Sequence, residues 1–102
     1  MSDLIPPDRL PPQSKDAEKG VLGSVLRDNA VLNDILNIIR PENFYFDAHQ
    51  KIIQAVCDTY NEGKPVDLVI LHDVLKQRKQ LEDVGGVPYL AELWEAAPTA
   101  AN

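Results

Sequence analysis

The sequence predicts an all-α fold, a small orthogonal bundle of about five main helices with no sheet. Two observations carry that expectation. Residues 44–63 hold a start signal, an apolar stripe and a stop signal that agree with one another. Stripes of the same helical period recur on both sides, each bounded by a capping residue or a proline.

In the central stretch Asp47 is placed as N-cap, and Gln50 three residues on completes a capping-box pattern. Ile52, Ile53, Val56 and Tyr60 then share one face, with Ala48 and Ala55 along its edge. Gly63 suits a left-handed terminal position and Pro65 forbids continuation, so the helix should run ~14 residues. Phe44, Tyr45 and Phe46 gather just ahead of it. His49 also lies on the stripe. Set beside Cys57 it invites a metal site or a nucleophile–base pair, but eight residues of helix span about 12 Å. His49 therefore reads as a structural, hydrogen-bonded residue and Cys57 as a small, inert flank. No metal ligand and no catalytic residue is expected.

A chain of 102 residues makes one domain large enough for a core without staples. A single cysteine excludes an internal disulfide and suits a reducing, cytoplasmic setting. The N-terminal stretch has no long apolar run, so it reads as neither signal peptide nor membrane span. A formal net charge of −6 disfavours a chain that grips nucleic-acid phosphates. The natural partner of such a module is another protein.

Residues 1–13 hold Pro6, Pro7, Pro11 and Pro12 and read as an extended arm, with the helical domain proper at 14–102. Ser14 caps a helix whose first turn carries Asp16 and Glu18, favourable against the positive end of the dipole. Ala17, Val21, Leu22, Val25 and Leu26 supply its apolar face, and Glu18 sits at the centre of that face. The plain account of Glu18 is a first-turn carboxylate reaching back to backbone donors. The alternative is a buried acceptor that fixes a neighbouring segment. Gly20, Gly23 and Ser24 form a smooth strip, and close approach of another backbone would compensate the glycines' ~1 kcal/mol loss of helix propensity.

Asp28 or Asn29 separates this helix from a broad stripe of Val31, Leu32, Ile35, Leu36, Ile38 and Ile39, which Pro41 stops. Pro41-Glu42-Asn43 is a turn into the central helix. Asp67 is placed as the next N-cap, with Val66 and Leu71 at hydrophobic-staple positions. The apolar run 68–71 suits a buried strand, but Leu68, Leu71, His72 and Leu75 decide it for helix. Lys76, Arg78 and Lys79 then complement the helix C-terminus. A short turn closes on Gly85-Gly86, and Pro88 suits the first position of a last helix. Leu90, Leu93, Trp94 and Ala97 mark its buried face, so Trp94 should be largely buried. Pro98 breaks that helix. Thr99 resembles a further cap, which suggests a piece cut at a domain edge.

No G-x-x-x-x-G-K-[ST], G-x-S-x-G or H-E-x-x-H pattern occurs. Several blocks do resemble a known family. Pro11-Pro12-Gln13-Ser14-Lys15-Asp16-Ala17-Glu18 with Val21-Leu22-Gly23 is similar to the opening of the N-terminal domain of DnaB-type replicative DNA helicases. So are Phe44-Tyr45, His49-Gln50-Lys51-Ile52, Gly63-Lys64-Pro65-Val66-Asp67, the run from Gly85 to Leu93, and Pro98-Thr99-Ala100-Ala101-Asn102. The resemblance implies a collar domain of a hexameric bacterial helicase that serves ring assembly and primase docking. ATP and magnesium would bind a motor domain outside this chain, and this chain would hold no cofactor. The implied partners are other helicase subunits, primase and a helicase loader, with DNA met by the whole ring. Glu18, His49, Asp67, Gly85 and Gly86 become signature positions, read as structural. Ile70, Val74 and Tyr89 are the candidate protein-interface residues. The helicase-binding domain of a primase and a small helix-turn-helix DNA binder are the competing readings.

Overall fold

The computed structural model describes residues 14–97, and among them there are five α-helices, one 3-10 turn and no strand. The helices are α1 (Lys15–Arg27), α2 (Ala30–Leu36), α3 (Asp47–Asn61), α4 (Leu68–Gln77) and α5 (Gly86–Ala96). The 3-10 turn Pro41–Asn43 precedes α3. The proline-rich arm at 1–13 and the cap expected at Thr99 lie outside the described residues. Ile52, Ile53, Ala55 and Val56 of α3 are fully buried and centre a core completed by Leu22, Val25, Leu32, Phe44, Leu71, Leu75 and Leu93. The central position expected of α3 holds.

Helix α1 starts where its capping residue places it, with Ser14 Oγ accepting from Ala17 N–H at 3.0 Å. It packs most extensively against α5. The two run parallel, since Lys19 meets Glu92 and the Arg27 Nε–H donates to the Trp94 carbonyl at 2.8 Å. Gly23 makes this closeness possible: a Cβ there would lie 2.1 Å from the Leu93 carbonyl oxygen. The smooth strip read from the sequence is a backbone-to-backbone contact at this point.

Asn29 separates α1 from α2 and does more than turn the chain. Its amide donates to the carbonyls of Val25 and Val66 at 2.8 and 2.9 Å, and its Oδ1 accepts from Val66 N–H at 2.7 Å. The carboxamide thus satisfies both backbone groups of buried Val66, as a β-ladder partner would. Helix α2 ends at Leu36, earlier than the stripe through Ile39 suggests, and Ile38 is 84% exposed. Pro41 disfavours helical backbone at the residue before it, and Arg40 is extended. Arg40 N–H instead donates to Asn43 Oδ1 at 3.0 Å and starts the 3-10 turn.

Asp47 is not the N-cap of α3; Phe46 is, and its carbonyl accepts the first intrahelical bond from Gln50 N–H. The Asp47 carboxylate pairs with Lys51 one turn on, and the Gln50 amide donates to the Phe44 carbonyl rather than closing a capping box. Asp67 does cap α4, accepting from Ile70 N–H at 2.9 Å, with Val66 and Leu71 both buried. Residues 68–71 are helical, as the spacing predicts. Pro88 is the third residue of α5, not the first, behind a left-handed Gly85. The first N–H groups of a helix have no intrahelical acceptor, so proline costs little there. Trp94 is only partly buried, because one face of its ring is covered by the Arg27 guanidinium at 4.6 Å rather than by the apolar core.

Helices α3 and α4 end in the same geometry with different residues. In α3, Gly63 (φ 85°) donates to the Tyr60 carbonyl and Lys64 to that of Thr59. In α4, Lys79 (φ 61°) donates to Lys76 and Gln80 to Leu75. Both are two-bond left-handed terminations that satisfy orphan carbonyls. A side chain in the left-handed region costs about 1–2 kcal/mol. Lys79→Gly should therefore raise the denaturant midpoint by up to about 1 kcal/mol equivalent, and Gly63→Ala should lower it by a similar amount. Gly23→Ala should destabilise by about 1–3 kcal/mol through overpacking, against a propensity gain of ~1 kcal/mol. Urea unfolding of the three variants checks all three signs.

Candidate functional site

The residue types that draw chemical interest converge at one place. Glu18 enters from the first turn of α1, His49 from the first turn of α3 and Tyr89 from the first turn of α5. The Glu18 Oε1 lies 2.7 Å from His49 Nδ1, and His49 Nε2 lies 2.6 Å from the Tyr89 hydroxyl. Glu18 Oε2 accepts the Tyr45 N–H at 2.7 Å. With a neutral ring, a single tautomer satisfies every contact: Nδ1–H donates to the carboxylate and the Tyr89 O–H donates to Nε2. The imidazole is fully buried and stacks on the Tyr89 ring at 14° between planes.

This geometry decides between the two accounts of Glu18. The carboxylate does not reach back to donors of its own first turn; it fixes the segment that leads into α3. Its central place on an apolar face is the buried-acceptor alternative, at the cost of desolvation that two charge-assisted hydrogen bonds offset. His49 is structural and hydrogen-bonded, as its place on the stripe predicts. Both of its ring nitrogens are engaged, so neither is free for a metal or a proton-transfer partner. Burial pushes the Cys57 thiol up from its ordinary 9.0, away from the reactive thiolate. Among the described residues no cluster of three or more His, Cys, Asp or Glu could hold a metal ion.

Around the buried chain lies a half-open rim. Lys15 Nζ stands 5.7 Å from the Phe46 ring centroid and 5.6 Å from that of Tyr89, and Lys19 covers Tyr89 from 5.7 Å. Gly85 closes the rim: a Cβ there would lie 2.7 Å from the Tyr89 Cβ. A cavity of about 350 Å³ opens here, walled by Lys15, Phe46, Asp83 and Tyr89. Tyr89 is half-buried, with its hydroxyl engaged by His49. Ile70 and Val74 lie elsewhere, half-buried in a shallow cleft beside Thr59 and Arg78. Asp67 remains at its cap, and Gly86 is the buried first residue of α5. The linking of Glu18 to His49 was not legible from spacing, because 31 residues separate them.

Comparison with known proteins gives these positions a frame. The family model for the DnaB-like helicase N terminal domain matches residues 10–102. The replicative DNA helicase DnaB of Geobacillus stearothermophilus is 50% identical over 102 residues, covering 100% of this chain and 22% of that protein. The replicative DNA helicase DnaC of Bacillus subtilis (strain 168) is 41% identical over 102 residues, again 100% of this chain and 22% of the relative. The chain therefore spans about a fifth of the length of these relatives. The crystal structure of the N-terminal domain of DnaB helicase from Mycobacterium tuberculosis superposes with a TM-score of 0.83 at 42% identity, covering 91% of this chain and 65% of that one.

Two outcomes test the site. Glu18→Ala should cost about 1.5–3 kcal/mol, since it strands the buried His49 Nδ1 and the Tyr45 N–H. A double-mutant cycle with Tyr89→Phe should show coupling through the imidazole, read from urea midpoints. Burial also pushes the Tyr89 phenol above its ordinary 10.0, with the neighbouring Lys19 opposing. The folded state thus holds that proton more tightly than the unfolded one. The stabilisation is complete below pH 10.0 and is lost as pH rises through the folded value. Titration of phenolate absorbance should show one of the three tyrosines ionising late, and Tyr89→Phe should remove that component.

Proposed function

The chain belongs to the DnaB-like helicase N-terminal domain family, and on that premise we propose that it is the non-catalytic head of a replicative DNA helicase, serving ring assembly and primase docking in the bacterial cytoplasm. The observation that carries the reading is a family match over residues 10–102 joined to 50% identity with a relative named as a replicative helicase. ATP hydrolysis and magnesium binding would belong to a motor domain outside these 102 residues. The sequence has no G-x-x-x-x-G-K-[ST] loop to cradle phosphates, so this chain alone would neither turn over ATP nor unwind DNA. Its partners would be neighbouring subunits, primase and a loader, and DNA would be held by the assembled ring.

The geometry supports a scaffold. One buried hydrogen-bond chain joins the first turns of three helices, which suits a head that must present a fixed surface. Half-buried Tyr89 is the interface residue we favour, because tyrosine joins a large apolar ring to a polar tip and is enriched at docking surfaces. Ile70 and Val74 would serve a weaker contact. The helix-turn-helix alternative loses ground at its own cluster: Arg78 is engaged by Asp58 at 2.8 Å, which neutralises part of the only basic run.

Light scattering and a primase titration, run on this chain and on a longer one extended by the segment that follows Asn102, test the assignment. This chain should be mainly monomeric and bind primase weakly, and the longer one should assemble and bind more tightly. Equal primase affinity for both, or a hexamer from the short chain, would move the interface into the head itself. Tyr89→Ala should weaken primase binding by tenfold or more, on the order of 1.4 kcal/mol, while Ile70→Ala changes it little.

A further inference from the structure

Two further cavities lie outside the Glu18–His49–Tyr89 line and the Ile70–Val74 cleft. One, between α4 and α5, is an apolar groove lined by Leu68, Val69 and Val87. The other is polar, has a volume of about 260 Å³, and opens between the 3-10 turn, α3 and the segment that follows α4. Glu42, Gln50, Lys51, Gln54, Arg78 and Gln80 wall it. We propose that this polar cavity binds a guanidinium, the arginine side chain of a partner protein. The site does not depend on the helicase reading.

Gln80 is the decisive residue. Its Oε1 is buried and has no hydrogen-bond partner among the described residues. Both backbone groups of Gln80 are engaged: its N–H donates to the Leu75 carbonyl at 2.9 Å, and its carbonyl accepts from Val84 N–H at 3.1 Å. The side chain is therefore rooted in a fixed turn. A buried acceptor left without a donor is costly, and a ligand N–H that reaches it recovers that cost. The terminal χ3 torsion of a glutamine is soft, so the oxygen can turn to meet such a donor without movement of the backbone.

The donors of the wall are already spent. Gln50 Nε2 donates to the Phe44 carbonyl at 2.6 Å, and Gln54 Nε2 donates to Asp58 Oδ1 at 2.9 Å. Lys51 lies between Asp47 and Asp83, at 3.0 and 3.6 Å, and Arg78 is held by Asp58 at 2.8 Å. What the wall still offers is acceptors: the glutamine oxygens and the exposed carboxylate of Glu42. Around the opening the carboxylates of Glu42, Asp47, Asp58 and Asp83 outnumber the cations of Lys51 and Arg78. The whole chain has the same sign, at −6. Charge and hydrogen bonding thus both select a cationic donor over an anion. Arginine suits several separate acceptors better than lysine, because its planar head fixes its donors in a fork and is more weakly hydrated than an ammonium.

Titration of the 102-residue chain with N-acetyl-arginine amide, followed by proton–nitrogen NMR of the glutamine side-chain amides, tests the proposal. A lone side chain should bind with a Kd on the order of 10 mM, giving saturable shifts at Gln50, Gln54 and Gln80 and none at the backbone amides of Leu22 and Leu93. N-acetyl-lysine amide should bind about threefold more weakly, since a point charge meets fewer of the acceptors. N-acetyl-glutamate amide should give no saturable shift. Gln80→Met keeps the side-chain length, removes the unpartnered oxygen and should weaken arginine binding about threefold or more. Glu42→Gln alters an exposed residue, so the fold stays intact, and should weaken binding about twofold while lowering its salt dependence. Absence of a saturable arginine shift assigns the cavity to water and overturns the proposal. So does an affinity unchanged in either variant, or lysine or glutamate bound as tightly as arginine.

Discussion

The buried line from the Glu18 carboxylate through His49 to the Tyr89 hydroxyl is the constraint on which the rest of the head depends. Each polar atom in it would be costly if stranded, and each has a partner within 2.7 Å. The line fixes the first turns of α1, α3 and α5 relative to one another and also pins the backbone at Tyr45. A carboxylate and an imidazole satisfied in only one register add a directional constraint to the close packing of the apolar core. The network therefore acts on uniqueness of structure more than on total stability, because desolvation consumes much of what its hydrogen bonds return.

The register so fixed brings α1 and α5 to backbone contact at Gly23 and lets Arg27 close over Trp94 four residues on. Support thins away from these helices. Helix α2 has seven residues and one fully buried side chain, Leu32, and the segment after it leaves Ile38 in water. Local opening should concentrate there rather than at α3, whose Ile52, Ile53, Ala55 and Val56 are fully buried.

Much of this was legible in the sequence, and what was not follows a physical pattern. Helix existence, the Ser14 and Asp67 caps, the Gly63 stop and the helical state of residues 68–71 all rest on local signals within four residues. The misplacements lie at helix ends: Phe46 is the N-cap of α3 while Asp47 pairs with Lys51, and α2 ends at Leu36, short of the extended Arg40 before Pro41. The larger surprises are long-range. Asn29 serves Val66 across 37 positions, and Glu18 serves Tyr45 and His49 across 27 and 31. Nothing in spacing announces such pairs, although a carboxylate at the centre of an apolar stripe was a visible sign that some partner existed. Trp94 failed for a related reason, since a stripe shows which face turns inward and not what covers the rest of the ring.

The distribution of charge limits what this head can recognise. Lys19 faces Glu92, Lys51 faces Asp47 and Asp83, Lys64 faces Glu62, and Arg78 faces Asp58. Lys15 and Arg27 lie over aromatic rings instead. These surface pairs add little stability, yet they disperse positive charge over a chain of net −6. Among the described cations, Lys76, Arg78 and Lys79 stand together at the end of α4, with Arg78 held by Asp58. The half-open apolar and aromatic places are the half-buried Tyr89 ring, the Ile70–Val74 cleft and the α4–α5 groove. Each is small, and each sits on a rigid helix. Small rigid patches bind weakly one at a time and firmly when several are engaged together.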